Sequence, residues 1–336
     1  MTTQANNSDL HFASVRELRS KFDKREISSS EVTKATLDRI STLEPRLNTF
    51  ITVTPENAIR DAKLADERLQ GTGQEPTALT GVPVMVKDNF STKDVPTTAA
   101  SNILKGYIPP YDGTVVSLLK QAGAVILGKG NLDEFAMGSS NETSAFGPVH
   151  NPWDTDRVPG GSSGGASAAV AAGQCFMAFG SDTGGSIRQP AAFCGVVGMK
   201  PTYGLVSRFG LLAFGSSLDQ IGPLTRTVAD CSDALNIISS HDHRDSTSVS
   251  APFTDFGQEL EIGIAEMNIG VPQEYLVEGI EPGVRSAFEA SLKTLESLGA
   301  NVTETSLPLT DHALAVYYII APSEASANLS RYDGVK

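Results

Sequence analysis

The sequence predicts an α/β fold in which a central β-sheet is largely covered by helices. Short apolar runs with strand character alternate with segments of helical periodicity along the 336-residue chain, and this alternation is typical of α/β architecture. The 31 glycines indicate many tight turns between these elements. A chain of this length can bury a large core, either as one large domain or as two smaller ones.

The N-terminal part of the chain is predicted to be helical. Ser28 and Glu31 have the spacing of a capping box, which predicts that a helix begins directly after Ser28. A further helix fits residues 55–69. We therefore expect residues 1–70 to form a helical segment that packs on the core, and residues 71–336 to form the main domain.

The middle of the chain is predicted to alternate between strands and helices. One strand ends on Lys87, and the helix that precedes the next strand ends at Gly123. A small-residue helix and another buried strand follow. The predicted strands cover residues 81–87, 124–127 and 175–180, and the predicted helices cover residues 114–121 and 164–173.

The C-terminal part begins after a polar stretch, residues 241–256, which is the best candidate for a linker or surface loop. A strand is predicted at residues 262–265. A helix is predicted at residues 282–298, with one apolar face and Gly299 at its end. A last strand is predicted at residues 301–305.

Composition and charge disfavour several classes of function. The net charge of −13 argues against a nucleic-acid surface on this chain, because such surfaces are usually basic. The polar N-terminus lacks a signal-peptide pattern and no apolar run is long enough to span a bilayer, so we expect a cytoplasmic protein. The cysteines have no metal-ligand spacing and are expected to be buried thiols in a reducing compartment; they are Cys175, Cys194 and Cys231.

Two glycine-rich motifs match known site patterns only in part. Residues 123–129 fit the phosphate-loop pattern G-x-x-x-x-G-K, but Gly130 stands where a hydroxyl is needed and the intervening residues favour a strand. Residues 160–164 fit the nucleophile elbow G-x-S-x-G, but a loop with two prolines precedes them instead of a strand. Neither a phosphate loop nor an α/β-hydrolase site is favoured. The histidines available to such a hydrolase, none in a motif-like context, are His241, His243 and His312.

Two serines, Ser162 and Ser186, lie on glycine-rich turns with no histidine between them. Because a serine hydroxyl is a weak nucleophile until a base takes its proton, this pattern favours a Ser-Ser pair served by a lysine. Lys87 is the candidate base, since it ends an apolar strand and open α/β sheets gather their sites at such ends. Taken alone, a strand-end lysine more commonly reaches solvent. Ser163 is expected to be structural.

Residues 160–190 resemble the signature of the amidase signature family, and within it the match is closest to the A subunits of glutamyl-tRNA(Gln) amidotransferases. The resemblance covers nearly the whole chain. It implies the amidase-signature fold, a mixed central sheet with helices on both faces. It also implies that Lys87 is the base, Ser162 the bridging serine, held by a cis peptide, and Ser186 the nucleophile that forms an acyl-enzyme.

The loop that leads to Ser186 has features that suit an oxyanion, because consecutive backbone N–H groups at the start of a helix form an anion-binding nest. Asp182 and Arg188 flank this loop and are expected to clamp it rather than to react. The candidate oxyanion donors are the backbone N–H groups of Thr183, Gly184 and Gly185.

The resemblance further implies the substrate and the partners. In the resembled proteins the amide is that of glutamine, and the ammonia passes to the B subunit, which activates Glu-tRNA(Gln) with ATP and Mg²⁺, while the C subunit completes a heterotrimer. No cofactor or metal is expected in this chain itself. Tyr317, or its neighbour Tyr318, aligns with a tyrosine that contacts glutamine in that family, but a core tyrosine on a helix face fits as well.

Members of that family continue beyond the equivalent of Lys336, so we expect the C-terminal part of the family domain, with residues that hold the carboxylate and amine of glutamine, to be missing here. The resulting unpaired sheet edge would favour aggregation. Two alternatives stay open: a stand-alone amidase that acts on small amides, and a non-catalytic assembly subunit.

Overall fold

The computed structural model describes residues 10–250 and 254–332. Their packing separates two compact units. The first comprises the described residues up to Asp255 and those from Glu324 onward, and the second comprises residues 256–323. The change of unit falls within the predicted linker 241–256, of which residues 251–253 lie outside the described residues. The predicted boundary at residue 70 stays a prediction.

A mixed six-stranded sheet forms the centre of the first unit. Its strands are β1 (Phe50–Val53), β2 (Pro83–Lys87), β3 (Val125–Gly130), β4 (Met177–Asp182), β5 (Val197–Gly198) and β6 (Gln220–Thr225). They lie in the order β1-β3-β2-β4-β6-β5. Strands β3, β2 and β4 run parallel to one another, whereas β1, β6 and β5 each pair antiparallel with their neighbour. The C-terminal ends of β2 and β4 therefore lie side by side.

The helices of the first unit include the four that were predicted to begin after Ser28 and at residues 55, 114 and 164, together with others that were not predicted. They are α1 (Val15–Asp23), α2 (Ser29–Leu47), α3 (Pro55–Leu69), α4 (Thr114–Gln121), α5 (Gly164–Ala171), α6 (Arg188–Cys194) and α7 (Val228–Ile238). The predicted capping box is confirmed, because Ser28 Oγ accepts from the Glu31 N–H at 3.1 Å and the Glu31 carboxylate accepts from the Ser28 N–H at 2.9 Å. In the described part of the chain, no helix combines the length and apolar character needed to cross a membrane.

Both faces of the central sheet are buried. One apolar cluster joins Met85 and Leu127 of the sheet to Ala62 of α3 and Ala169 of α5. The small side chains of α5 let this helix pack close to the strands. Val86, which alternates with Met85 along β2, is also fully buried, so the opposite face is covered too. This arrangement confirms the predicted α/β fold with a mixed central sheet flanked by helices.

The second unit is built on a parallel strand pair. It contains β7 (Asn268–Pro272), α8 (Pro282–Ser297) and β8 (Asn301–Thr305), and α9 (Thr310–Leu329) begins in it. In the register, Asn268 lies opposite Asn301 and Pro272 opposite Thr305.

The predicted strand at residues 262–265 is wrong, although the helix and strand predicted after it are confirmed. Ile262 is 75% exposed, and Gly263 has a φ of +83°, which lies in the left-handed region rather than in the extended one. These residues form turns instead, and the pairing strand begins at Asn268. An apolar run indicates a strand only when a partner strand buries it.

Candidate active site

Lys87 ends β2 with a completely buried side chain. Its Nζ lies 2.7 Å from Ser162 Oγ, 2.9 Å from Ser181 Oγ and 3.0 Å from Ser163 Oγ. The Ser181 carbonyl oxygen lies 3.3 Å from the same nitrogen. None of the ion pairs within residues 10–250 and 254–332 includes Lys87. The amine is therefore surrounded by neutral hydrogen-bonding groups.

These surroundings change the proton affinity of the Lys87 amine. Burial lowers the pKa of Lys87 from 10.5 to about 7, because an ammonium loses its hydration there. The more distant carboxylates of Asp133, Asp182 and Asp219 act in the opposite direction and raise the pKa. Burial dominates, so a substantial fraction of the amine is neutral near pH 7 and can accept a proton.

The sheet register explains why these groups meet. Strands β2 and β4 are parallel neighbours in which Val86 lies opposite Phe179, so Lys87 and Ser181 emerge at adjacent strand ends. The helix α5 begins at Gly164, directly after the loop that carries Ser162. Lys87 and its hydroxyl partners thus lie together at one buried position, where the ends of β2 and β4 meet the start of α5.

The loop that carries Ser162 is held by a backbone hydrogen bond and by close packing against Asp133. The peptide bond between Gly161 and Ser162 is cis, and the Ser162 carbonyl oxygen accepts from the Asp133 N–H at 3.3 Å. A Cβ atom on Gly161 would lie 2.1 Å from Asp133 Oδ2, which is too close for any side chain. The Asp133 carboxylate is itself held by the Asn141 N–H at 3.0 Å.

The loop that carries Ser186 is organised by the Asp182 carboxylate. Asp182 Oδ1 accepts from the Gly185 N–H at 2.9 Å, and Oδ2 accepts from the Ile187 N–H at 3.1 Å. The guanidinium of Arg188 donates to both carboxylate oxygens. Burial raises the pKa of Asp182, but these hydrogen bonds outweigh burial and hold the pKa below its ordinary value. In this geometry Asp182 and Arg188 form an ionised clamp around the loop.

The two serine loops meet through the backbone, since the Ser163 N–H donates to the Ser186 carbonyl oxygen at 3.0 Å. Within the described residues, the Ser186 hydroxyl has no hydrogen-bond partner, although the residue is largely buried. A nucleophile whose hydroxyl is not held by other groups can turn toward a bound carbonyl carbon.

The predicted oxyanion donors do not all have the same surroundings. The Gly185 N–H already donates to Asp182, so its assignment stays only a prediction. The Thr183 hydroxyl donates to Asp219 Oδ1 at 2.6 Å, which fixes the start of the loop. Gly184 is exposed to solvent. The N–H groups of Thr183 and Gly184 are therefore the better candidates.

Sequence reasoning missed part of the lysine's environment. Ser163, expected to be structural, accepts a hydrogen bond from Lys87 and donates to the Ser181 carbonyl oxygen at 3.1 Å. Ser181 also accepts from Asn89 Nδ2 at 3.0 Å. The position of Ser181, at the end of a buried strand just before Asp182, was the signal that could have indicated it.

Tyr317 lies on α9 in the second unit, where its ring packs edge-on against Tyr318 with 5.6 Å between the ring centroids. Its predicted contact with substrate stays a prediction. The phosphate-loop pattern at residues 123–129 begins in the turn that follows α4 and continues into the strand β3, in agreement with the strand character of its sequence.

Comparison with known proteins identifies the family. A sequence profile described as Amidase matches residues 31–336, which is most of the chain. The chain belongs to the amidase family. This amidase is 56% identical over 328 residues to the A subunit of glutamyl-tRNA(Gln) amidotransferase from Carboxydothermus hydrogenoformans, a match that covers 98% of this chain and 67% of that protein.

Solved structures agree with this assignment. The crystal structure of the A subunit of glutamyl-tRNA(Gln) amidotransferase from Thermotoga maritima matches the amidase with a TM-score of 0.84 and 46% identity, over 97% of this chain and 68% of that one. The peptide amidase of Stenotrophomonas maltophilia matches with a TM-score of 0.87 and 35% identity, over 95% and 67% of the two chains. Amide hydrolysis is thus the chemistry of the family to which this amidase belongs.

Proposed function

We propose that this amidase hydrolyses the carboxamide of glutamine through Lys87, Ser162 and Ser186. The observation that carries the proposal is the 2.7 Å contact between Lys87 Nζ and Ser162 Oγ, in surroundings that lower the pKa of the lysine to about 7. A general base is most effective when its pKa lies near the working pH. We assign no cofactor to this chain.

Acylation begins when Ser186 Oγ attacks the carboxamide carbon. The Ser186 proton moves to Ser162 Oγ while the Ser162 proton moves to Lys87 Nζ, because a hydroxyl can accept and donate at the same time. The backbone N–H groups of Thr183 and Gly184 stabilise the oxyanion. The lysine ammonium then returns a proton through Ser162 to the amide nitrogen, the C–N bond breaks, and ammonia leaves.

Deacylation uses the same groups. Water attacks the ester carbon of the acylated Ser186 and gives a proton to the Ser162–Lys87 relay. The relay returns that proton to Ser186 Oγ as the ester bond breaks. The balanced reaction converts one amide and one water into a carboxylic acid and ammonia.

The fate of the ammonia is proposed from the likeness to the A subunits. In this proposal the chain works in the cytoplasm with the B and C subunits, and the B subunit uses ATP and Mg²⁺ to convert Glu-tRNA(Gln) into Gln-tRNA(Gln). The net charge of −13 supports a division in which partners hold the tRNA.

A stand-alone amidase is the second candidate, and the 35% identity to a peptide amidase supports it. Ammonia release from glutamine and from simple amides, with and without the B and C subunits, distinguishes the two. A chain that turns over glutamine only with its partners supports the first candidate. Turnover of simple amides without partners, at a rate that the B and C subunits do not change, supports the second.

A fluorophosphonate probe that labels activated serines tests the site itself. We expect the parent to be labelled and Ser186→Ala to be unlabelled. A folded parent that the probe does not label would contradict the proposal and favour an assembly subunit without turnover.

A further inference from the structure

A second lysine, Lys129 on β3, is as completely buried as Lys87. Its Nζ donates to the Thr97 hydroxyl at 2.7 Å and to the Phe90 carbonyl oxygen at 2.8 Å. Its third neighbour is Asp88 Oδ1 at 3.2 Å. Unlike Lys87, Lys129 therefore lies within ion-pair distance of a carboxylate, which favours its charged form and opposes the burial that lowers the pKa of Lys129.

Asp88 is the other half of this pair and follows Lys87 directly in the chain. Its side chain is completely buried, and Oδ2 accepts from the Thr98 N–H at 2.9 Å and from the Thr98 hydroxyl at 2.5 Å. A buried carboxylate persists when it is paired and hydrogen-bonded, as Asp88 is. The pair therefore carries two opposite charges that balance.

The pair holds the turn that follows the base. The register places Lys129 beside Val86 and Gly130 beside Lys87, so the two lysines begin on opposite faces of the sheet. The turn after β2 is closed by a hydrogen bond from the Phe90 N–H to the Lys87 carbonyl oxygen at 3.1 Å. Phe90 is also a partner of Lys129, so the second lysine holds the chain segment that fixes the backbone of the first.

We propose that Lys129 and Asp88 are positioning residues, whose ion pair holds the turn after β2 and whose balanced charge maintains the proton affinity of the Lys87 amine. The proposal rests on the proposed role of Lys87 as the base. Neither residue contacts the reacting atoms in this scheme. The pair acts on the reaction only through Lys87.

The charges around Lys87 predict what happens when the balance is lost. The carboxylates that face Lys87 from the neighbouring loops and from β4 are Asp133, Asp182 and Asp219. Removal of the Lys129 ammonium would leave the Asp88 carboxylate as a further negative charge, which favours the ammonium form of Lys87. Removal of the Asp88 charge would leave a positive charge nearby, which favours the neutral form.

The test compares Lys129→Met, Asp88→Asn and the double variant in the full chain. The rate of probe labelling of Ser186 is measured against pH. We expect the acid limb of the profile to move up by about one pH unit in Lys129→Met and down by about half a unit or more in Asp88→Asn. In the double variant the limb returns to the parent position, but labelling is about tenfold slower because the turn is less well held.

Acid limbs that coincide with the parent in both folded single variants would overturn the proposal, because a merely structural role does not move a pH profile in opposite directions. If circular dichroism shows that a single variant is unfolded, the double variant decides. A parent-like labelling rate of the double variant then overturns the proposal, and so does a remaining folded single variant whose acid limb coincides with that of the parent, whereas a displaced limb in that variant supports it. An unlabelled parent overturns both this inference and the proposed function, whereas a labelled parent with unshifted variants overturns this inference alone.

Discussion

The backbone N–H of Ser163 donates a hydrogen bond to the carbonyl oxygen of Ser186 at 3.0 Å. This bond joins the residue after Ser162 to the proposed nucleophile, so the backbone sets the relative position of the two serine loops. Truncation of the Ser162 or Ser186 side chain to alanine removes neither of the bonded backbone groups. The effects of these two truncations therefore report on the chemistry of the hydroxyls.

Replacement of Lys87 by Met should remove the base and leave a side chain of similar length. We expect labelling of Ser186 and ammonia release to fall by about 10²–10⁴-fold, the usual contribution of general-base catalysis. Lys120→Met is the matched control, because Lys120 is partly exposed on α4 and forms its ion pair with Asp112, away from the serine loops. A Lys87→Met variant that is labelled at the parent rate would show that another group is the base.

The labelling rate should rise with pH through about 7 and then level off. The pKa of Lys87 is lowered to about 7 by burial, and only the neutral amine accepts the proton from Ser162. Initial rates between about pH 5 and about pH 9 test this expectation. A rate that stays constant over the middle of that range contradicts the assignment of this lysine as the titrating group.

The free energy of unfolding should also depend on pH through the titration of Lys87. The pKa of Lys87 is about 7 in the folded chain against an ordinary value of 10.5, so the unfolded chain binds more protons between these values. The free energy of unfolding of the parent should then rise relative to that of Lys87→Met, by about 1.4 kcal/mol per pH unit above pH 7. Urea unfolding at several pH values measures this difference. Parallel curves for the two proteins would mean that the amine titrates normally.

Gly161→Ala should disrupt the loop that carries Ser162. The added Cβ would lie 2.1 Å from Asp133 Oδ2, so the loop must shift, and we expect a loss of about 1–3 kcal/mol together with loss of labelling. Gly283→Ala in α8 is the control, since no atom of residues 10–250 and 254–332 lies within 4 Å of its added Cβ and alanine favours helix. Equal thermal stability and labelling in both variants would contradict the tight packing at Gly161.

Ser28→Ala should weaken the start of α2 without effect on chemistry. It removes the hydrogen bond from the Glu31 N–H to Ser28 Oγ but leaves the bond from the Ser28 N–H to the Glu31 carboxylate, and we expect the loss to cost about 1 kcal/mol. Ser20→Ala, at an exposed position within α1, should change the free energy of unfolding by less than about 0.5 kcal/mol. Denaturant unfolding separates the two, and a similar effect of both substitutions would argue against the cap.

Part of the fold could be predicted because its signals are local, whereas the strands β1, β5 and β6 of the central sheet were not predicted. The helix at residues 55–69 begins with a proline at its first position, and the helix at residues 114–121 ends before a glycine with a φ of +78°; both have the predicted bounds. The strand predicted at residues 262–265 failed because pairing depends on a distant partner, and Asn301–Thr305 pairs with Asn268–Pro272 instead. Local patterns do not contain that information.

The sequence by itself determined the candidate residues Lys87, Ser162 and Ser186, since glycine-rich serine turns and a strand-end lysine are visible in the order of residues. Only the tertiary structure decided that Ser181 and Ser163 also contact the lysine, and that Lys129 pairs with Asp88. The physical reason is that a pKa and an ion pair depend on burial and on groups far apart in the chain. Those quantities exist only once strands β2, β3 and β4 are side by side.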